Sequence, residues 1–213
     1  MLRRWQLGRL ERLVREEVRD LQDVRNLSSL QLLVDMLPAR VGSLLSVNSL
    51  REDLQVAHKT AAQWLEVLEH LYHMYRIYPF ARSTARSLKK EAKLYLWDWS
   101  EVPGEPARVE NLVASHLLKF CHYLQDSEGY KVTLHHLRDA DGREVDFLVA
   151  FDGTPWIAVE VKSTKEKASR HLLYFGTRLA IPYLYQVVDE QNIDVMEGPV
   201  RIMSLGRFLG ALI

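Results

Sequence analysis

Arg143-Glu144-Val145-Asp146-Phe147-Leu148-Val149 and, after a turn, Trp156-Ile157-Ala158-Val159-Glu160-Val161-Lys162 are the two runs on which the fold of this chain turns. Both are apolar and β-branched, and they flank Asp152-Gly153, a strong hairpin signal. Asp146, Glu160 and Lys162 interrupt the apolar pattern, and ionised groups are rarely placed inside such runs without a partner or a task. A strand sends alternate residues to opposite faces. Glu160 and Lys162 therefore share one face of their strand, and Val159 and Val161 the other. A two-residue loop at Asp152-Gly153 pairs Asp146 with Val159, on the wrong side for Glu160. A three-residue loop from Asp152 to Thr154, or a bulge that adds one residue, pairs Asp146 with Glu160. A shared site for the two carboxylates thus demands one of these two registers.

Two carboxylates with an ammonium beside them suit a divalent cation. Mg²⁺ takes oxygen ligands at about 2.0–2.1 Å and keeps several waters. Lys162 is placed to stabilise developing negative charge or to orient a water. The plainer alternative is a solvent-facing sheet surface with cross-strand ion pairs worth a few tenths of a kcal/mol. Upstream, residues 109–120 repeat apolar positions at helical spacing, with Glu110 expected in the first turn, where exposed N–H groups favour a carboxylate. Glu110, Asp146, Glu160 and Lys162, in that order, resemble the core of the PD-(D/E)XK nuclease superfamily. The resemblance implies Glu110, Asp146 and Glu160 as ligands of Mg²⁺ or Mn²⁺. It implies all four residues as the catalytic set of a phosphodiesterase.

The 213 residues carry a formal net charge of zero, so no global field draws nucleic acid, and attraction must come from local patches. The single Cys121 excludes an internal disulfide and a multi-cysteine zinc site, and reads as a core thiol. No long apolar span and no leader peptide is evident, which predicts a cytoplasmic protein that does not enter membranes. No dinucleotide fingerprint, nucleophile elbow or histidine metal cluster is present, so a small-molecule enzyme has no support.

Residues 1–27 read as a helical arm, with Leu7, Leu10, Leu13, Val14, Val18 and Leu21 forming an apolar stripe. Residues 28–99 read as a winged helix-turn-helix. Leu30 to Leu37 is a helix ended by Pro38, Gly42 marks a turn, and Ser46 caps the next helix. A third helix covers residues 58–68, and a hairpin follows, from Met74–Phe80 and Lys93–Trp97. The outer face of the third helix, with His58, Lys59, Thr60 and Gln63, is the candidate for a DNA major groove. Arg82, Arg86, Lys89, Lys90 and Lys93 form a basic cluster suited to phosphates. Trp64 reads as core.

Leu37-Pro38-Ala39-Arg40-Val41-Gly42-Ser43-Leu44-Leu45-Ser46, Lys93-Leu94-Tyr95-Leu96-Trp97-Asp98, Glu110-Asn111-Leu112-Val113-Ala114, Glu144-Val145-Asp146-Phe147 and Glu160-Val161-Lys162 follow one another in the chain. In that order they resemble the C-terminal half of the prokaryotic archaeal-type AAA+ ATPases. The resemblance implies an ATPase domain or subunit as partner. The chain itself has no GxxxxGK[ST] loop and hence no ATP site of that kind. Such a chain is a fragment, a split gene product or a shortened member.

Residues 100–213 read as the nuclease-like domain. A helix is expected from about Ala168 to Leu179, strands at Tyr183–Val188 and Arg201–Met203, and a final helix capped by Ser204. Ser163 and Thr164 are expected to cap the helix after the Glu160 strand, the alternative being contact with a phosphate. Lys165 and Arg170 are candidate nucleic-acid contacts. The expected fold is mixed α/β, a central mixed sheet flanked by helices behind a helical module. Two functions stand against each other. One is a metal-dependent nuclease with a DNA-positioning winged helix. The other is a non-catalytic module that binds DNA or protein for an ATPase.

Overall fold

The computed structural model describes residues 27–81 and 91–212. The arm expected over residues 1–27 falls outside them except for Leu27. The described chain is mixed α/β, with a two-stranded sheet and a six-stranded mixed sheet. It divides into two compact units, one built from residues up to Arg76 and Lys93–Pro103, the other from Ile77–Ala92 and from Gly104 onward.

In the first unit, α1 (Leu27–Met36) buries Leu30, Leu33 and Val34, the spacing of one helical face. Pro38 opens a single 3₁₀ turn, Pro38–Arg40, because proline suits a first helical position and cannot continue a helix behind it. Ser46 caps α2 (Val47–Leu54), its hydroxyl accepting the Ser49 N–H at 3.3 Å. Then α3 (His58–His70) buries Ala61, Trp64, Leu65 and Leu68, so Trp64 is core. β1 (Met74–Ile77) pairs with β2 (Lys93–Leu96), and Leu44 forms an antiparallel bridge to Lys93. Lys93 is buried within β2, which removes it from the expected exposed basic cluster.

The second unit opens with α4 (Glu105–Glu128). Gly104 at positive φ and Pro106 at the first positions start this helix upstream of residue 109. Glu110 therefore lies beyond the first turn, where the helix dipole has largely faded. The sheet has strand order β3-β4-β5-β6-β8-β7. Its strands are β3 (Val132–Arg138), β4 (Glu144–Phe151), β5 (Thr154–Lys162), β6 (Tyr183–Val188), β7 (Asp194–Glu197) and β8 (Val200–Ser204). β5, β6 and β8 are mutually parallel, and the remaining pairs are antiparallel. The parallel step from β5 to β6 needs a crossover, supplied by α5 (Arg170–Leu179). Leu172 and Phe175 of α5 pack with Leu148, Ala158, Leu184 and Ile202. A short α6 (Leu205–Gly210) closes the chain. Ser204 precedes it, but its hydroxyl is engaged with the backbone of Ile193 and does not cap the helix. Among the described residues no helix is long and apolar enough to cross a membrane.

The β4–β5 hairpin fixes the positions of the acidic residues. Phe151 faces Thr154, and Asp152 (φ 49°) and Gly153 (φ 77°) both adopt positive φ, as a two-residue I′ turn requires. That turn alone would set Asp146 against Val159. Between Val149↔Ile157 and Ala150↔Pro155 the register shifts by one, leaving Trp156 as an extra residue on β5. Beyond this bulge Phe147 faces Val159. Trp156 is held by aromatic neighbours, stacked on Phe120 at 6.0 Å and edge-on to Phe151 at 5.6 Å.

Candidate active site at the ends of the parallel strands

The parallel register aligns Lys162 with Val188, and Val188 with Ser204, so the carboxyl ends of β5, β6 and β8 lie together. In open α/β sheets this is the end where ligands bind. Glu160 and Lys162 occupy the last residues of β5. The β4–β5 pairing ends at Phe147↔Val159, and the same register carried one step further would set Asp146 across from Glu160. There the Asp146 carboxylate accepts the Val161 N–H at 2.9 Å. A second bulge sits at the same point. His135 faces Leu148 and Leu137 faces Val145, so Asp146 and Phe147 together oppose the single His136 of β3. Bulges of this kind re-aim a side chain, and here one sits on Asp146 itself.

Glu160 is only 6% exposed, and its Oε1 accepts from Lys162 Nζ at 2.9 Å. Burial presses the Lys162 pKa down, but the hydrogen bond and charge of Glu160, with the charges of Asp146 and Glu166, outweigh it and raise the pKa above its usual value. Lys162 is thus held cationic beside a buried carboxylate.

Two clefts meet at Lys162. The larger, of about 680 Å³, is lined by Glu160, Lys162, Glu166, Lys167 and the first turn of α5, Arg170 and His171. The smaller, of about 330 Å³, is lined by Pro106 and Glu110 of α4, Lys162, Ser163, Thr164 and Asp189. Glu110 and Glu160 therefore line different clefts, both bordered by Lys162. Among the described residues no three of His, Cys, Asp and Glu come together to hold a metal ion, so Glu110, Asp146 and Glu160 do not form a three-carboxylate cage. The chemistry of the remaining pair still fits Mg²⁺ or Mn²⁺. Both are hard cations, and Mg²⁺ commonly binds through one or two carboxylates and keeps its waters.

The segment between β5 and α5 is pinned from three sides. The Lys165 N–H donates to Glu190 at 2.6 Å, the Ala168 N–H to Glu197 at 3.2 Å and the Ser169 N–H to Gln186 at 2.9 Å. Ser169, rather than Ser163 or Thr164, caps α5, accepting the Leu172 N–H at 3.4 Å. The helix starts later than the sequence pattern suggests, and the earlier hydroxyls are left exposed in the smaller cleft. Lys165 and Arg170 are both exposed, and Arg170 faces the larger cleft. His171 Nδ1 donates to the Glu144 carbonyl at 3.1 Å. Gln186 was not among the residues expected from sequence. Its signal is an amide set inside the apolar run Tyr183-Leu184-Tyr185-Gln186-Val187-Val188.

In the first unit His58, Lys59 and Gln63 are exposed on α3, and Thr60 is half-buried. Arg82, Arg86, Lys89 and Lys90 lie outside the described residues. Glu69 on the same helix is paired with Arg76 through its Nε at 3.0 Å and its backbone N–H at 3.2 Å.

Residues 107–207 match the family model of a domain of unknown function, DUF4143, a domain found in AAA-ATPase-associated proteins. Residues 2–100 match a second domain of unknown function, DUF8612. No curated protein and no solved structure matches the chain.

Proposed function

We propose that residues 100–213 form a metal-dependent nucleic-acid phosphodiesterase domain of PD-(D/E)XK type, joined to a DNA-binding winged helix in residues 28–99. The observation that carries this reading is the Glu160–Lys162 pair at the end of β5, with the Asp146 carboxylate on the Val161 N–H between them. A bulge costs ladder pairing, and its presence beside these residues supports a site at this end of the sheet. Asp146 and Glu160 would hold Mg²⁺ or Mn²⁺, and Glu110 would approach from the smaller cleft. Bound there, the cation would polarise a phosphoryl oxygen and lower the pKa of a bound water. Lys162 would stabilise charge developing on the phosphoryl oxygens. Arg170, Lys167 and Lys165 would bind the neighbouring phosphates. The α1–α3 array with β1, β2 and the Leu44 bridge supports the winged-helix reading. Its contacts would come from His58, Lys59, Thr60 and Gln63, and from Arg82, Arg86, Lys89 and Lys90.

A second reading is supported by the absence of a three-carboxylate cluster among the described residues and by the match to a domain of AAA-ATPase-associated proteins. On that reading the chain is a non-catalytic DNA- or protein-binding module of an archaeal-type AAA+ ATPase. One experiment separates them. The purified chain is incubated with labelled single-stranded, duplex and branched DNA and with RNA, in Mg²⁺, Mn²⁺ or EDTA. The nuclease reading expects cleavage that needs the metal and vanishes in E160Q and K162A while binding persists. Binding without cleavage under any metal leaves the second reading.

A further inference from the structure

We propose that Gln186 is a positioning residue that sets the cationic leading turn of α5 against the Glu160–Lys162 pair; this rests on the phosphodiesterase reading above. Gln186 is fully buried, at 0% exposure, on the strand beside Glu160 and in direct register with it. Neighbouring residues in register on parallel strands point to the same face, so two buried polar side chains stand side by side under the larger cleft. Both ends of the Gln186 amide are committed to one short segment. Its Oε1 accepts the Ser169 N–H at 2.9 Å, and its Nε2 donates to the Glu166 carbonyl at 3.3 Å. Those two bonds straddle Lys167 and end at the cap of α5. They fix where Lys167, Arg170 and His171 stand along the cleft wall.

No apolar residue can fill this role, since it would leave a strand-facing amide and a carbonyl of the segment without their partners. One charged substitution can do so conditionally. A protonated glutamic acid offers the same pattern as glutamine, a carbonyl that accepts and an O–H that donates. An ionised glutamate only accepts, and it would stand beside the carboxylate of Glu160. Burial and that neighbour would both raise its pKa. Gln186→Glu should therefore behave as wild type in mild acid and as Gln186→Leu in mild base.

The test measures binding of a fluorescent single-stranded oligodeoxynucleotide in EDTA by anisotropy, so that it does not depend on turnover. It uses wild type, Gln186→Leu and Gln186→Glu at about pH 5.5 and about pH 8, on either side of a raised carboxyl pKa. Circular dichroism at both pH values shows that each variant is folded, and hydrogen exchange follows the 163–170 amides. Loss of two positioning bonds predicts about a tenfold weaker affinity for Gln186→Leu at both pH values, with faster exchange confined to 163–170. Gln186→Glu should match wild type in acid and fall to the Leu value in base. The new carboxylate alone would repel the oligonucleotide in base without changing exchange at 163–170, so the positioning role is read from affinity and exchange moving together. If wild type binds and Gln186→Leu binds equally well, or if its 163–170 amides exchange as in wild type, Gln186 does not position the segment. If wild type binds none of single-stranded, duplex and branched DNA or RNA, with metal or in EDTA, the phosphodiesterase reading fails, and with it any role of Gln186 in substrate binding.

Discussion

Asp146 does two jobs that separate cleanly by substitution. Its carboxylate accepts the Val161 N–H at 2.9 Å, and its charge helps raise the Lys162 pKa. Asp146→Ala leaves a strand N–H without that acceptor, at a cost of about 1–3 kcal/mol. Asp146→Asn keeps an acceptor oxygen, so most of that loss should not appear. Denaturant melts should rank wild type close to Asn and Ala well below. Equal losses in the two variants would mean that the charge, not the hydrogen bond, is what the fold uses. Lys162 gives a second test, by pH. Its folded pKa is raised above the ordinary 10.5, so its contribution is complete below 10.5 and is lost as pH rises through the higher folded value. The melting temperature of wild type should therefore converge on that of Lys162→Met only in alkaline solution above pH 10.5. Convergence at neutral pH would show that the Glu160–Lys162 pair does not hold the ammonium in its charged form. The side chain is 36% exposed, which keeps the effect small.

At the level of elements, the β4–β5 hairpin shows what sequence can and cannot fix. Asp152-Gly153 marks the turn because both residues tolerate positive φ. The bulge at Trp156 has no local signature. An extra residue is defined by the partner strand, and Trp156 suits a regular strand equally well by composition. The sequence thus narrowed the acidic pair to two possible registers, and the packing of Trp156 against Phe120 and Phe151 accompanies the one adopted. The start of α4 was legible in Gly104 and Pro106, but the apolar period begins later and drew the boundary toward residue 109. β7 carries no sequence signature, because Asp-Val-Met-Glu is exposed throughout and has no buried face to impose alternation. Gln186 was hidden because a lone amide in an apolar run matters only once the chain that folds over it is known. The bulge supplies the prediction at this scale. Deleting Trp156 removes the bulge but leaves Ile157 facing Val149 and Val159 facing Phe147, so the β5 side chains beyond it keep their faces. Cooperative unfolding should be kept. Trp156→Leu keeps the register and gives up aromatic contacts worth about 0.5–1.5 kcal/mol per pair beyond area burial. A deletion that unfolds without cooperativity, while the Leu variant keeps it, would show that β5 needs the bulge itself to hold its register.

Across the whole molecule the chain does not divide at a single point. Ile77–Ala92 belongs with the second unit, although Lys93–Pro103 behind it belongs with the first. The reason lies at the edge of the large sheet. The backbone of β3 is paired there with the segment before residue 81: the His136 N–H donates to the Tyr78 carbonyl at 3.2 Å, and the Phe80 N–H donates to the His136 carbonyl at 2.9 Å. Phe80 also packs edge-on against His135 at 5.5 Å. An uncovered edge strand offers its backbone to other chains. A fragment starting at Gly104, close to where the family match begins at residue 107, would lose this cover. Cys121 reports the consequence. It is buried, its thiol is pushed up to about 12 by burial, and its labelling requires the second unit to open. In the full chain, labelling by a thiol reagent at neutral pH should be slow. In the 104–213 fragment it should be several-fold faster, since even one lost hydrogen bond of about 1 kcal/mol raises an open population about fivefold, and the fragment should self-associate as concentration rises. Adding the 77–92 segment back as a peptide should slow both. Equal labelling rates in the full chain and the fragment would show that the second unit holds its edge without residues 78–80.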